Sequence, residues 1–274
     1  MRLRNLLFVL LIAALPTLLT AQYYDAPTTR FEVGFGTGSG QYFGELGNNA
    51  IGYSFDNIRP SAMVYGQYHI NNWISLRTGY AFVWLEAYDS DADSEARQRR
   101  NLSFRSFVHE GSLLAQFNIL EFDPYYADHQ WTPYVFAGMT VFHFNPQTNY
   151  AQQWVDLQPL GTEGQGIPGL ENSRPRYSLT QMAIPVGFGV KYNLNERFTF
   201  GIEFNYRYTF TDYIDDVSTT YADPDLLRQF NGQLAVDVAY RGNGTYPEGS
   251  RRGNPDTEDH FMTSSLTVGY NLYR

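Results

Sequence analysis

Apolar and polar residues alternate with a period of two over long stretches of this chain. In the segment 197–212, RFTFGIEFNYRYTFTD, every even-numbered position from Phe198 to Phe210 is aromatic or aliphatic, and every odd-numbered position from Thr199 to Thr211 is polar, charged or glycine. Successive side chains of a β-strand point to opposite faces, so the segment is predicted to be one strand with an apolar and a polar face. Strands of soluble proteins usually have about five or six residues, whereas a tilted strand that crosses a bilayer needs about nine to eleven. In a soluble protein this apolar face would be buried and the charges would face water, whereas in an outer-membrane barrel the apolar face contacts lipid and the charges fill the lumen. The rest of the chain decides between the two interpretations.

Seven further segments have the same design. In the segment 103–119, for example, Phe107 and Phe117 share the apolar face, and Glu110 lies on the polar one. Both faces of the segment 132–144 are fairly apolar, so its orientation stays open. Pro185 interrupts one of the strands, costs a ladder hydrogen bond and suggests a bulge. The seven predicted strands are 31–42, 59–70, 73–86, 103–119, 132–144, 177–194 and 260–273.

The connections between these strands alternate in length. Those after the second and sixth strands are tight turns, at Asn71–Asn72 and at 193–196, and the one after the fourth strand, 121–131, is moderate. An even number of strands with short turns on one side is typical of bacterial outer-membrane barrels, whose short turns lie in the periplasm. We therefore predict an all-β fold, an eight-stranded antiparallel transmembrane outer-membrane β-barrel with short periplasmic turns and long extracellular loops. The long polar connections are 45–58, 87–102, 145–176 and 213–259.

Several charged residues occupy the polar faces of the predicted strands. An eight-stranded barrel is only wide enough for its own side chains to fill the interior. An unpaired charge buried there would cost on the order of several kcal/mol. We therefore expect the inward charges to pair and to block conduction through the lumen. This predicted network consists of Arg77, Glu110, Lys191, Glu203 and Arg207.

The N-terminal segment has the features of a secretory signal. Arg2 and Arg4 precede an apolar stretch, residues 6–19, which small residues follow. A membrane anchor is the alternative, and the shortness of the stretch disfavours it. We expect residues 1–21 to be a cleaved signal peptide and residues 22–274 to form an integral barrel in the outer membrane.

The composition agrees with an exported amphipathic β-protein. The chain of 274 residues is 17% aromatic, yet its mean hydropathy is −0.38, because lipid-facing and lumen-facing residues cancel. The signal segment holds two arginines and no acids, so its removal lowers the formal charge from −9 to −11. A chain this acidic is a poor partner for nucleic acid, and its lack of cysteine excludes disulfides.

Motifs that would indicate a cofactor or metal are incomplete. The five histidines are scattered without zinc-ligand spacing. The acidic segment 89–93 resembles the start of a calcium loop but lacks the later glycine and glutamate, so we interpret it as a solvated acidic loop. The glycine-rich segment 161–166 has no P-loop lysine and is interpreted as a flexible loop. We expect neither a cofactor nor a resident metal.

Two features near the predicted outer rim leave alternatives open. Asp212, Asp215 and Asp216 are either loop carboxylates at the rim or ligands of a cation. His260 follows Asp259, a pair that a barrel hydrolase could use, but no nucleophile is positioned beside it. No catalytic residue is assigned.

Six long strings in the loops and strands are more specific than the alternation: QRRNLSFRS at 98–106, TPYVFAGMTVFHFNPQ at 132–147, WVDLQPLGTEGQG at 154–166, YSLTQMAIPVGFGVKYNLN at 177–195, FTDYIDDVSTTY at 210–221 and RRGNP at 251–255. Together they resemble the PorG family, the small outer-membrane β-barrel components of the type IX secretion system of Bacteroidota. The resemblance implies a non-enzymatic subunit of the machine that exports proteins with a C-terminal sorting domain and that supports gliding motility in some members. It also implies contact with the periplasmic ring of PorK and PorN, and it leaves contact with other translocon subunits open.

Each end of the predicted barrel offers candidate contact residues. A free-standing barrel whose extracellular loops bind a ligand or a surface partner is the alternative function. A contact with the periplasmic ring would use the short-turn side, including the segment that begins at Gln22, with Asn71, Asn72, Tyr125, Tyr126, Asn193 and Asn195 as candidates. Contacts outside the cell would use Trp154, Asp212, Asp215 and Asp216.

Overall fold

The computed structural model describes residues 29–47, 58–124, 127–170 and 173–273. The predicted signal peptide, the segment from Gln22, and the candidate contact residues Tyr125 and Tyr126 lie outside these ranges. The described chain forms, in order, β1 (Thr29–Phe43), β2 (Arg59–His69), β3 (Ile74–Tyr88), α1 (Glu95–Arg100), β4 (Ser103–Asn118), β5 (Trp131–His143), β6 (Gln147–Tyr150), β7 (Gln153–Asp156), β8 (Thr180–Asn193), β9 (Phe198–Thr209), α2 (Pro224–Asn231), α3 (Gln233–Ala239) and β10 (His260–Tyr273).

Eight of these strands close into an antiparallel barrel. Each barrel strand pairs with its neighbours in chain order, β8 following β5, and the pairing of β10 with β1 completes the ring. The remaining hairpin, β6–β7, stands beside the wall and joins β4 through a single residue pair, Arg105 with Gln147. The predicted eight-stranded barrel is confirmed, and each predicted strand lies within a few residues of an observed one.

The outside of the wall is a continuous apolar belt. In β9, Phe200 and Ile202 are exposed whereas Glu203 and Arg207 are buried, as the alternation predicts. Fully burying one large apolar side chain is worth about 1.5–3 kcal/mol, so an uncovered belt of this extent would be very unfavourable in water. It is the lipid-facing surface of an outer-membrane barrel. Exposed members include Val33, Phe35, Val64, Leu76, Tyr80, Leu113, Phe117, Val135, Met139, Met182, Val186, Phe188, Phe200, Ile202, Leu266 and Val268.

Aromatic pairs flank the belt at both ends. Girdles of this kind mark the two interfaces of outer-membrane barrels, and the short turns of such barrels face the periplasm. At the short-turn end, the ring centroids are 5.0 Å apart in the pair Phe31–Tyr68 and 5.4 Å apart in Phe198–Tyr270. At the long-loop end, they are 5.4 Å apart in Trp84–Phe107 and 4.7 Å apart in Tyr206–Tyr208.

The orientation of β5, which the sequence left open, follows from the glycines of β8. Tyr134 and Phe136 point inward and are buried, whereas Val135 is exposed. A Cβ atom added at Gly189 would fall on the ring of Tyr134, so the bare glycine backbone makes room for the inward aromatic. Both faces of β5 are apolar because its inner face packs against glycine.

The predicted bulge at Pro185 is wrong. Strand β5 pairs Ala137 with Val186 and Thr140 with Ala183, so the register is the same on both sides of the proline. Pro185 only interrupts the ladder, because it has no N–H to donate.

The long connections fold over the outer mouth of the barrel, and we call their described residues, 44–47, 89–102, 144–170, 173–179 and 210–259, the outer cap. Ile167 packs with Leu227 and Val236 in an apolar cluster beneath α2 and α3. Among the described residues, no helix is long and apolar enough to cross a membrane. A larger cluster joins the outer half of the lumen to the cap, with Val83, Leu85, Phe104, Val108, Phe142 and Phe261 from the wall and Leu157, Ile214, Val217 and Val238 from the cap.

Candidate functional site: the filled lumen and the outer cap

The middle of the lumen holds a buried ion pair that crosses the barrel. Arg77 Nη1 on β3 lies 2.6 Å from Glu203 Oε2 on β9, and the Tyr134 hydroxyl donates to the same carboxylate at 3.0 Å. The Arg77 guanidinium also lies over the ring of Phe136, 4.8 Å from its centroid. The arginine is therefore neutralised on one side and covered by an aromatic ring on another.

A second ion pair lies one layer closer to the outer cap. Two guanidinium nitrogens of Arg207 donate to the carboxylate of Glu110, a bidentate arrangement. A third nitrogen, Nη1, donates to the Asn205 carbonyl at 2.7 Å and to the Thr263 hydroxyl at 2.5 Å. Every guanidinium nitrogen of Arg207 thus has an acceptor inside the wall.

Lys191, the fifth charge of the predicted network, makes no salt bridge. Its Nζ lies 4.1 Å from the ring centroid of Phe122 and has no hydrogen-bond partner among the described atoms. Among the described residues, the acid whose charge acts on Lys191 is Glu32, which the predicted network left out. Glu32 accepts from the Tyr65 hydroxyl at 2.7 Å and lies 3.5 Å from His69 Nε2.

Side chains leave little free space among these charges. The cavity bordered by Arg77, Glu203 and Arg207 has a volume of about 20 Å³. That volume is about the space needed by one water molecule, far less than a hydrated ion requires. The apolar cluster above the ion pairs then separates them from the outer mouth.

At the short-turn end, two of the candidate contact residues are buried. Asn72 is buried and donates to Glu121 Oε1 at 3.0 Å, and Asn193 is buried against the Thr199 hydroxyl at 2.7 Å. Asn71 and Asn195 instead accept from backbone N–H groups of their own turns. Of the four described candidates, the side chain of Asn195 is exposed, that of Asn71 is half-buried, and those of Asn72 and Asn193 are unavailable to a partner.

At the outer end, the three candidate aspartates are interior residues rather than rim residues. Asp212, Asp215 and Asp216 are all buried inside the outer cap. Trp154, on β7, is 39% exposed, and the Arg105 guanidinium lies 3.5 Å from the centroid of its ring. Trp154 is thus the candidate at this end that a partner could reach.

Asp216 belongs to a compact ionic unit that joins two connections of the outer cap. Arg252 Nη1 lies 3.0 Å from Glu163 Oε1, and Arg252 Nη2 lies 3.5 Å from Asp216 Oδ2. Asp216 also accepts from the hydroxyls of Thr162, at 2.5 Å, and Tyr177, at 2.7 Å. Burial raises the pKa of Asp216 to about 6, and Arg252 opposes that rise.

The glycine-rich segment 161–166, interpreted from the sequence as flexible, forms part of this unit. Its Glu163 accepts from the backbone N–H of Ser218 at 2.9 Å and from that of Thr219 at 3.0 and 3.1 Å. The glycines at 161, 164 and 166 have φ of 53°, 80° and 79°, the left-handed conformation that glycine adopts without strain. The segment is therefore a set of tight turns around a buried carboxylate, and the prediction of a flexible loop is wrong.

The acidic segment 89–93 is only partly the solvated loop predicted. Asp91 and Asp93 are exposed, but Asp89 is buried and receives both Arg100 Nε at 2.7 Å and Arg100 Nη2 at 2.8 Å. Asp89 also accepts from the backbone N–H of Leu102 at 2.9 Å. The interpretation holds for two of the aspartates and is wrong for Asp89.

A separate group of carboxylates lies where β1, β9 and β10 meet the outer cap, and we call Glu45, Asp212, Asp215 and Asp259 the acidic quartet. One oxygen each from Glu45, Asp212 and Asp259 lie within 4.8 Å of one another. Asp259 accepts from the Tyr42 hydroxyl at 2.6 Å and from the Ile214 N–H at 2.8 Å. Carboxylate oxygens are hard donors, and among the described residues Glu45, Asp212 and Asp259 are close enough together to hold one metal ion.

Burial and mutual repulsion disfavour full ionisation of the acidic quartet. Burial raises the pKa of Asp212 to about 9, and the charge of Glu45 adds to that rise. The pKa values of Asp215 and Asp259 are raised well above their usual range by burial and by neighbouring carboxylates. The pKa of Glu45 is raised by burial as well.

His260 does not form a catalytic pair with its neighbour. Its Nδ1 accepts from the Thr209 N–H at 3.4 Å, and its ring packs against Tyr206 and Tyr208, each with a centroid 5.5 Å away. Asp259 is engaged with Tyr42 instead. No nucleophile contacts this histidine among the described residues.

The closed wall, the apolar belt and the filled interior define the class of protein: an integral eight-stranded β-barrel of the outer membrane whose mouth is covered by its own loops. The chain belongs to the family described as Domain of unknown function (DUF6089), whose model matches residues 5–245. No curated protein matches the sequence.

Several solved structures of outer-membrane proteins are similar over most of the chain. The N-terminal β-barrel domain of Pseudomonas aeruginosa OprF is 12% identical, with 90% of this chain and 100% of that domain covered and a TM-score of 0.39. Neisserial surface protein A is 12% identical, with 88% and 97% covered and a TM-score of 0.41. Escherichia coli outer membrane protein W is 16% identical, with 90% and 100% covered and a TM-score of 0.36. Scores this low carry no information about function.

Proposed function

We propose that this protein is a non-enzymatic structural subunit of the type IX protein secretion machinery, held in the outer membrane and in contact with the periplasmic ring of PorK and PorN. The supporting observation is the filled barrel. A lumen occupied by paired charges and covered by an apolar cluster offers no route for a solute, which leaves the two ends and the lipid face as working surfaces. The resemblance of the loops to the PorG family supplies the identity of the machine.

The ring contact would form at the short-turn end, which faces the periplasm in barrels of this class. The connection between β4 and β5 is the longest described element at that end. It exposes Leu120, and it carries the half-exposed pair Glu121 and His129, whose Oε2 and Nε2 atoms are 3.7 Å apart. The β8–β9 turn beside it exposes Leu194 and Asn195. These mixed apolar and charged side chains suit a protein contact at the membrane edge.

A loop exchange tests this surface. Replacing the connection 121–130 by a short turn should strongly reduce co-purification of the ring proteins from native membranes. A matched control replaces the β6–β7 turn, Ala151 and Gln152, by Asn-Gly, because φ of 49° and 67° suit that pair. Both variants should keep the heat-modifiable migration of a folded barrel. Undiminished co-purification of the ring with the first variant would contradict the proposed contact.

A free-standing barrel that binds a partner outside the cell is the second candidate function. The ordered outer cap with the accessible Trp154 favours it. Deletion of the gene separates the two candidates: loss of export of proteins with a C-terminal sorting domain supports the structural subunit, and normal export supports the free-standing barrel.

Planar bilayers test the filled lumen itself. The purified protein should give no stable ion conductance, because the cavity among the central charges is only about 20 Å³. Reproducible channel steps from the wild-type protein would show that the lumen conducts and would remove the supporting observation.

A further inference from the structure

We propose that the acidic quartet, Glu45, Asp212, Asp215 and Asp259, is a calcium site that clamps the outer cap to the ends of the barrel strands. The inference is independent of the type IX assignment. Glu45 follows β1, Asp212 and Asp215 follow β9, and Asp259 precedes β10. One bound ion would therefore link three separate parts of the chain at the mouth of the barrel.

The oxygen atoms of the acidic quartet are positioned but incompletely satisfied. Asp212 is 8% exposed, and neither of its carboxylate oxygens has a hydrogen-bond partner among the residues that the structure describes. Glu45 accepts from the Asn254 N–H through Oε1 at 3.1 Å, while its buried Oε2 has no partner. Asp215 accepts from the Val217 N–H through Oδ1 at 2.8 Å, while its buried Oδ2 has none. Buried acceptors without donors require an explanation, and a shared cation supplies one.

The neighbouring arginines form their ion pairs elsewhere, and the charge of Arg100 acts on Glu45 and Asp215 only through space. Arg100 lies near Glu45 but directs Nε and Nη2 to Asp89, at 2.7 and 2.8 Å. It reaches Glu45 only at the backbone carbonyl, at 3.2 Å. Arg252 is bound to Glu163 and to Asp216. Four carboxyl groups thus share one buried region, and none of them has a salt bridge to another part of the described chain.

The spacing of the oxygens is short enough for them to share one ion. Calcium binds carboxylate oxygens at about 2.3–2.6 Å, so two ligands on opposite sides of the ion are about 4.8 Å apart. The three oxygens from Glu45, Asp212 and Asp259 lie within 4.8 Å of one another. Magnesium requires shorter bonds and near-ideal octahedral geometry, and it usually keeps several waters. A buried set of three or four carboxylates therefore favours calcium over magnesium.

Displacement of terbium tests the site directly. Tb³⁺ occupies calcium sites and luminesces when a nearby tyrosine is excited, and the Tyr42 hydroxyl lies 2.6 Å from Asp259 Oδ1. The full-length protein, purified in detergent and stripped with chelator, should give a saturable tyrosine-excited Tb³⁺ signal that Ca²⁺ displaces. We expect a Ca²⁺ dissociation constant of about 10⁻⁵–10⁻³ M, from the weak limit of sensor sites to the range of extracellular sites.

Charge-removing variants distinguish the acidic quartet from surface acids. Asp212→Asn and Asp215→Asn should each weaken Ca²⁺ binding roughly tenfold or more, because the number of charged ligands sets the affinity of calcium sites. Asp256→Asn is the matched control, since Asp256 lies in the same connection as Asp259 but is exposed, and its affinity should equal that of the wild type. Heat-modifiable migration verifies that each variant is folded.

Limited proteolysis of the outer cap gives a second readout. Ca²⁺ should slow cleavage of the wild-type cap several-fold, and Asp212→Asn should lose that protection while remaining folded. Three results would overturn the inference: no saturable displacement by Ca²⁺ up to about 10 mM, well above the weakest extracellular sites; equal affinities for Asp212→Asn and Asp256→Asn; or Ca²⁺-independent cleavage of the wild-type cap. In each case the acidic quartet would hold protons rather than a metal ion.

Discussion

Substitution of Arg77 tests whether the buried ion pairs hold the lumen together. Arg77→Met keeps a long unbranched side chain beneath Phe136 but removes the guanidinium that lies 2.6 Å from Glu203 Oε2. Glu203 is 2% exposed, so its carboxylate cannot turn to water, and the Tyr134 hydroxyl would be its remaining donor. The variant therefore leaves a buried charge without its counter-ion.

The expected magnitude follows from this geometry. Removing one partner of a buried ion pair costs about 3–5 kcal/mol, because the other charge stays buried and unpaired. We expect Arg77→Met to lower the free energy of unfolding by about that amount. Adding Glu203→Gln removes the orphaned charge and keeps an acceptor for Tyr134, so the double variant should recover roughly 2–4 kcal/mol. If the two residues form an ion pair, the double variant should lose less unfolding free energy than Arg77→Met alone.

Equilibrium unfolding in urea, with the protein inserted in lipid vesicles and followed by tryptophan fluorescence, measures these differences. Arg99→Met is the matched control, because the Arg99–Glu95 pair on α1 has side chains that are 80% and 83% exposed. Exposed pairs contribute about 0.2–1 kcal/mol at most. The reasoning is refuted if Arg77→Met costs no more than Arg99→Met, or if the double variant is no more stable than Arg77→Met alone.

Three further substitutions probe the cap and the wall. Arg252→Met should speed proteolysis of the outer cap while the barrel keeps its heat-modifiable migration, and unchanged cleavage would show that the ionic unit does not fasten the cap. Arg105→Met removes the cation over Trp154 and should free the β6–β7 hairpin at a cost of about 0.5–1 kcal/mol, seen as a red shift of tryptophan emission; an unshifted spectrum would contradict the stacking. Gly189→Val should cost about 1–3 kcal/mol in urea unfolding, because its side chain would displace an inward tyrosine ring. The control Gly111→Val meets nothing within 4 Å of its Cβ and should be tolerated, so equal losses for both would refute the packing argument.

The barrel could be predicted from the sequence because its determinants are local. Alternation along a strand decides which side chains face lipid, whatever strand lies next to it, and so the inward positions of Glu110 and Arg207 followed from the pattern alone. The pairing of Glu110 with Arg207 could not be predicted from the pattern, because which residues meet across a lumen depends on how strands distant in sequence are shifted relative to one another. Glu32 could have been predicted to face inward, because it is an acid on the glycine face of β1. Its proximity to Lys191 could not, because it too depends on how distant strands are shifted relative to one another.

The outer cap could not be predicted in this way, because its turns have no period and its contacts join distant segments. The sequence presents Asp212, Asp215 and Asp216 as one acidic strip, but the fold divides them. Asp216 has a positive φ of 69°, which turns its carboxylate toward Arg252, whereas Asp212 and Asp215 lie with Glu45. Asp216 is thereby neutralised by Arg252, whereas Asp212 and Asp215 have no salt bridge among the described residues. That division makes the acidic quartet, rather than the whole strip, the part of the cap whose stability should depend on a cation from outside.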